Sequence, residues 1–283
     1  MDYRSHHYRS SCGRLDLFAR IYEGDGPPLL LMHGLTRNSA DFEPLAQHLA
    51  GRYRLIVPDQ RGRGLSDSDP DPANYRPDVY SADMFALLDD LGIDAVLPIG
   101  TSMGGLMAMA MNAMKPERIR GAVLNDIGPL LDPAGLQRIG GYVGHSAAFA
   151  DWEEAAGAIA DINQDAFPGF AERDWLAFAR RTCRVSQDDR VEFAYDPAIA
   201  SAFDASAEQP DLWPLWEALS GKPVLVLRGA LSDLLSADVA REMGERHEGP
   251  FTLVEVADRG HAPLLDEPEA LAALDTFLKD HGG

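Results

Sequence analysis

Gly100-Thr101-Ser102-Met103-Gly104-Gly105 is the stretch that decides the fold. The residues before it, Asp94-Ala95-Val96-Leu97-Pro98-Ile99, form a short apolar run that reads as a buried strand, and those after it, Leu106 to Ala113, are rich in strong helix formers. A serine therefore stands on a sharp strand-to-helix turn. Such a turn holds its central residue in a strained backbone conformation, and Gly100 and Gly104 leave room where strand and helix cross closely. The Ser102 hydroxyl then projects from the carboxyl end of the strand, beside a helix N-terminus whose unpaired N–H groups favour developing negative charge. The pattern G-x-S-x-G is short enough to arise by chance, so its chemistry depends on partners elsewhere in the chain.

Composition narrows the classes before those partners are sought. The chain has 283 residues, enough for one large α/β core with a single inserted segment. A formal net charge of -20 argues against nucleic acid and anionic membrane as partners, because both repel such a surface at long range. Two isolated cysteines, Cys12 and Cys183, make no disulfide framework, and Met1 to His7 offer no apolar signal segment, so the expected location is the reducing cytoplasm. The expected partner is a small molecule, with the chain a monomer or homodimer.

Working outward from the serine, apolar runs alternate with helical periodicity. Residues 6–23 read as a β-hairpin turning at Gly13, and Asp25-Gly26-Pro27-Pro28 breaks the chain before a strand at Leu29-Leu30-Leu31-Met32. Ser39 to Ala50 is helical in spacing, with Ser39 as its cap. Arg54 to Pro58 is a strand, followed by Asp59-Gln60-Arg61-Gly62-Arg63-Gly64-Leu65-Ser66-Asp67, whose charges suit a loop held by internal ion pairs. Gly121 to Pro129 reads as a further strand ending in a loop that leaves the core, Lys222 to Gly229 and Phe251 to Val256 as the last strands, and Pro268 to about Lys279 as a final helix.

These segments together resemble the α/β-hydrolase fold in its serine-esterase form. The resemblance spans most of residues 10–130 and 220–280 and is carried by His33-Gly34, the Asp59–Ser66 segment, Gly100–Gly105 and Asp258-Arg259-Gly260-His261-Ala262-Pro263. It implies a mostly parallel central sheet flanked by helices, and a nucleophile, acid and base in the chain order Ser102, Asp233, His261. Asp126 also follows a strand and is the alternative acid. The resemblance places the oxyanion donors at the amides of Leu35 and Met103. It sets His33 and Gly34 against the substrate, with His33 a scaffold residue and neither acid nor base. No cofactor is required by this chemistry, and no zinc-type spacing of histidines or cysteines exists.

Residues 130–219 carry no readable motif and read as a mainly helical cap inserted into a core of residues 1–129 and 220–283. All four tryptophans fall in this insert, as does His145. Tyr142 and Trp152 are its expected pocket-lining residues, being near the start of the insert. The function expected is hydrolysis of carboxylic esters with small to medium, mainly apolar substrates through an acyl-enzyme. Lactone, thioester or carbon–carbon bond hydrolysis of ring-cleavage diketones remain as alternatives, and a ligand receptor on the same fold is the non-enzymatic one.

Overall fold

The computed structural model describes residues 2–144, 148–202 and 209–282. Its first half runs β1 (Arg4–Arg9), β2 (Asp16–Tyr22), β3 (Gly24–Met32), α1 (Glu43–Leu49), β4 (Gly51–Pro58), α2 (Pro77–Asp90), β5 (Leu97–Thr101), α3 (Met103–Met114) and β6 (Ala122–Asn125). There follow α4 (Pro133–Gly140), β7 (Ala148–Phe149), α5 (Trp152–Asn163), α6 (Glu172–Thr182), β8 (Cys183–Val185), β9 (Val191–Phe193) and α7 (Trp213–Glu217). The chain closes with β10 (Val224–Gly229), α8 (Ala237–Arg246), β11 (Phe251–Val256) and α9 (Pro268–His281).

Eight strands form one sheet in the order β1-β2-β4-β3-β5-β6-β10-β11. The β1–β2 and β2–β4 pairs are antiparallel, and every pair from β4 to β11 is parallel. Parallel strands need covering on both faces, which explains why their apolar runs do not alternate. Leu30 and Met32 of β3 point into the core shared with α2, α3 and α8, while Leu29 and Leu31 point into the one shared with α1 and α9.

Three local expectations change. The prolines do not interrupt the third strand: β3 begins at Gly24 and passes through Pro27 and Pro28, with its register slipping between Gly26 and Pro28. On the β5 side its pairing starts only at Leu29, so the prolines sit where one edge of the strand is open and a missing N–H costs little. The cap of the next helical segment is Asn38, whose side chain accepts the Ala40 N–H at 2.9 Å, rather than Ser39. The charged loop after β4 is tied by ion pairs that reach beyond the segment and are not internal to it, Arg61 being buried between Asp69 and, on α2, Asp83.

The segment between β6 and β10 has a core of its own, built on Phe149, Ile159, Phe167, Trp175 and Phe178. It is not purely helical, because β7, β9 and β8 form a small antiparallel sheet. Its last helix belongs to the main core: Trp216 of α7 is fully buried, edge-on to Phe251, and donates its indole N–H to the Met243 carbonyl. Among the described residues, no helix is long and apolar enough to cross a membrane.

Candidate active site

Ser102 occupies the turn between β5 and α3 with φ 54° and ψ −117°, a left-handed conformation rarely adopted by a residue with a side chain. Its N–H is held at 2.9 Å by the Asn125 carbonyl, and its own carbonyl accepts from Gly105 and Leu106. A side chain at Gly100 would run into the backbone of Gly104, and one at Gly104 into the Met32 carbonyl. The crossing of strand and helix thus demands glycine at both positions.

Two histidine bonds extend from this serine into the protein. His261, on the loop after β11, lies with Nε2 at 2.8 Å from Ser102 Oγ and Nδ1 at 2.8 Å from Asp126 Oδ2. Asp126 follows β6 directly and is completely buried, with φ 57°. Its Oδ1 accepts the Gly229 N–H at 2.8 Å, and its Oδ2 accepts the Ser232 hydroxyl at 2.6 Å as well as His261. The acid position expected at Asp233 is therefore filled by Asp126. Asp233 is turned towards the insert, where Arg138 of α4 grips both its oxygens at 2.6 and 2.8 Å. Partial burial pushes the Asp233 carboxyl up, and the Arg138 guanidinium outweighs it, leaving the group below the usual carboxylate range.

Two residues that the sequence did not single out hold this arrangement. Asn125 donates from Nδ2 to Thr101 Oγ1 at 3.0 Å and to the Pro263 carbonyl at 2.8 Å, so one side chain joins the loops bearing Ser102 and His261. Ser232, besides donating to Asp126, accepts N–H bonds from Leu234 and Leu235. Both stand next to an aspartate weighed for the acid, and only their cross-strand placement marks them.

Leu35 and Met103 line the same cavity as Ser102, and neither amide has an acceptor among the described residues. Two free N–H groups beside a nucleophile can hold an oxyanion. Gly34 borders the cavity, but His33 does not: it is fully buried, its Nδ1–H donating to the Gly34 carbonyl at 2.8 Å and its Nε2 accepting from Gln60 N at 3.2 Å. Burial pushes its pKa down to about 3, so the ring is a neutral strut between the Gly34 and Gln60 backbones.

In front of the serine lies a cavity of about 230 Å³. Its wall is mostly apolar, with Leu106 and Ile127 from the core and Ile139, Ile159, Phe167 and Phe193 from the insert. Tyr142 is on this wall, where burial raises its phenol above the ordinary value. Trp152 is not: it opens α5, packs on the insert's own core and lies under the Arg180 guanidinium, 5.0 Å from its ring centre. It is the later turns of α5 that reach the cavity, through Ile159 and Asn163. His145 lies outside the described residues. Among the described residues, no group of three or more potential ligands is placed to hold a metal ion.

A doubly wound sheet with a serine on a strained strand–helix turn, bonded through histidine to a buried aspartate, defines the hydrolases of the α/β-hydrolase fold. The chain belongs to the Alpha/beta hydrolase family, whose model matches residues 29–274. The crystal structure of an alpha/beta hydrolase from Novosphingobium aromaticivorans superposes with a TM-score of 0.92 at 45% identity over 98% of each chain. Among characterised relatives, the 3-hydroxybutyrate-oligomer hydrolase of Cupriavidus necator is 36% identical over 88% of this chain and 87% of its own. The 2-(acetamidomethylene)succinate hydrolase of Mesorhizobium japonicum is 31% identical over 98% of both.

Proposed function

We propose that this protein hydrolyses carboxylic esters of small to medium, mainly apolar acids by a serine acyl-enzyme mechanism. The observation that carries the reading is the unbroken chain from Ser102 Oγ through His261 to Asp126 Oδ2, opening on an apolar cavity. A serine hydroxyl is a weak nucleophile at neutral pH unless a base removes its proton as it attacks. His261 Nε2 accepts that proton while Oγ adds to the ester carbonyl. The oxyanion is held by the Leu35 and Met103 amides, each worth about 3 kcal/mol at comparable sites. His261 then returns the proton to the departing alkoxide, leaving an acyl-serine. Water enters by the same route, giving its proton to His261 and releasing the acid. Asp126 fixes the ring with Nδ1 protonated and stabilises the imidazolium formed in both half-reactions.

In this reading the segment Leu130–Leu219 is a cap over the nucleophile that selects substrates and takes no part in bond breaking. Short 3-hydroxybutyrate oligomers belong in the first substrate panel because of the Cupriavidus relative. The full-length likeness to the acetamidomethylenesuccinate hydrolase adds that compound, alongside lactones, thioesters and ring-cleavage diketones. Purified protein is assayed on these and on nitrophenyl esters, with Ser102→Ala as control and a fluorophosphonate as covalent probe. Ester turnover should fall about a millionfold in the variant, and the probe should attach to Ser102. Turnover surviving in Ser102→Ala, or its absence on every ester, overturns the reading.

A further inference from the structure

One cation faces the cavity from the oxyanion loop itself. Arg37 follows Leu35 by two residues, and its Cγ stands beside Gly34, which in turn abuts Ser102. Its guanidinium carbon lies over the Phe178 ring of α6, 3.8 Å from the ring centre, so core loop and insert meet at this side chain. Asp41 takes one edge of the fork: Nε donates to Oδ2 at 2.6 Å and Nη2 to Oδ1.

An arginine carries five N–H donors, with two edges able to bond in parallel. The Nε–Nη2 edge is occupied by Asp41. Among the described residues Nη1 has no partner, which leaves the end-on edge, Nη1 with the remaining Nη2 hydrogen, unused. Arg37 and Asp41 both line the cavity, in a wall that is otherwise mostly apolar. Spare donors on a partly buried guanidinium bind an acceptor strongly, because water competes little there. The Asp41 charge keeps the pair near neutral, so the site suits an oxygen acceptor without requiring a counter-ion.

We propose that Arg37 is a specificity residue that binds a second oxygen function on the substrate, a carbonyl or carboxylate oxygen a few bonds from the scissile ester. The inference rests on the ester-hydrolase reading and sharpens it: the favoured substrate is an oxygenated acyl ester, such as an oligomer of a hydroxy acid, over a plain fatty ester of equal length. Its position follows from the loop: the same Gly34–Arg37 segment that carries the Leu35 amide carries the second anchor, so the two oxygens are read by one rigid turn.

The test uses three nitrophenyl esters of similar length: hexanoate, monomethyl succinate, and glutarate half-ester. The first lacks the second oxygen, the second presents a neutral carbonyl and the third a carboxylate. Arg37→Met keeps the apolar stem and removes the donors, and Arg37→Met with Asp41→Asn avoids stranding the carboxylate. In the unaltered protein kcat/KM for at least one oxygenated ester should exceed that for hexanoate, and the variants should reduce that ratio by about tenfold or more, as expected for a bond to a charged donor. The arm that responds distinguishes carbonyl from carboxylate. A ratio that does not move overturns the proposal, whatever the absolute rates.

Binding of dimethyl succinate, monomethyl glutarate and methyl hexanoate to Ser102→Ala, with and without Arg37→Met, followed by calorimetry, reads the same preference without turnover. Loss of turnover on all three esters in the unaltered protein, with the binding preference intact and dependent on Arg37, would reject the ester reading and keep the subsite. Equal binding of all three would reject the subsite alone.

Discussion

At the scale of single residues, the acid is where sequence and structure part. Asp233 stands three residues beyond the Gly229–Ala230 turn and Asp126 directly after a strand, and the resemblance to the family favours the former. What decides is the side-chain environment: Arg138 holds Asp233, whereas Gly229, Ser232 and His261 converge on Asp126. Arg138 lies 95 positions away in sequence, so no local pattern announces its claim. Asp126→Asn should reduce kcat by roughly four powers of ten through the wrong imidazole tautomer. Asp233→Asn should leave kcat within severalfold and cost about 1 kcal/mol or less, because the pair is roughly one-third exposed. Urea titration together with steady-state kinetics on both variants checks the assignment. A large loss in Asp233→Asn alone would return the acid to it. His33 gives a second residue-scale expectation. Its pKa of about 3 in the fold lies below the unfolded value near 6.5, so the unfolded chain binds the proton first as pH falls. Its neutral form is fully compatible with the fold above pH ~6.5, and stability is lost as pH drops from there towards ~3. Between pH 7 and 4.5 this one ring should account for roughly 2 kcal/mol of lost stability. His33→Asn, which cannot titrate, should show a correspondingly flatter acid limb in unfolding free energy. An unchanged limb would place the acid sensitivity elsewhere.

At the scale of elements, the strands legible in sequence are those whose apolar runs are unbroken, and the misread one contains the prolines. β3 tolerates Pro27 and Pro28 because its β5-side partner starts later, a fact about neighbours and not about the run itself. The same limit applies to the insert. Trp175, Phe178, Ala179 and Thr182 are spaced to share one face of a helix, and all four are buried on α6. Which insert residues meet the substrate is not visible, since the insert has one core of its own and one wall on the cavity. Nearness in sequence to the exit at Asp126 does not separate Tyr142, which borders the cavity, from Trp152, which opens α5 and packs on the insert's own core under Arg180. Tyr142→Ala should therefore change the ratio of kcat/KM between short and long acyl chains, burial of each methylene on that wall contributing about 0.8 kcal/mol. Trp152→Ala should lower the melting temperature and leave that ratio alone, as loss of packing within the insert does. A chain-length shift in the Trp152 variant with none in the Tyr142 variant would reverse the two assignments.

At the scale of the whole molecule, the charge of -20 acts on every encounter before any contact forms. Single-sign charge repels ligands of the same sign over a distance set by salt, about 30 Å at 0.01 M and about 8 Å at 0.15 M ionic strength. It also strains the compact state through self-repulsion. The Leu35 and Met103 amides act only within hydrogen-bond reach and the Arg37 charge is offset by Asp41, so on this reading they do not cancel the field that an anionic ester meets on approach. Two consequences can be separated. Raising ionic strength from ~0.01 to ~0.15 M should raise kcat/KM severalfold for an anionic ester such as the glutarate half-ester, while kcat/KM for a neutral ester of similar length stays nearly constant. The melting temperature should rise over the same range whatever the substrate. An anionic ester that slows with salt would mean that the field at the cavity mouth is positive despite the total, and that local cations, Arg37 first among them, govern encounter as well as binding. A melting temperature that falls with salt would mean that the surface ion pairs, among them Arg118–Asp89 and Arg184–Glu192, contribute more to stability than the net repulsion removes.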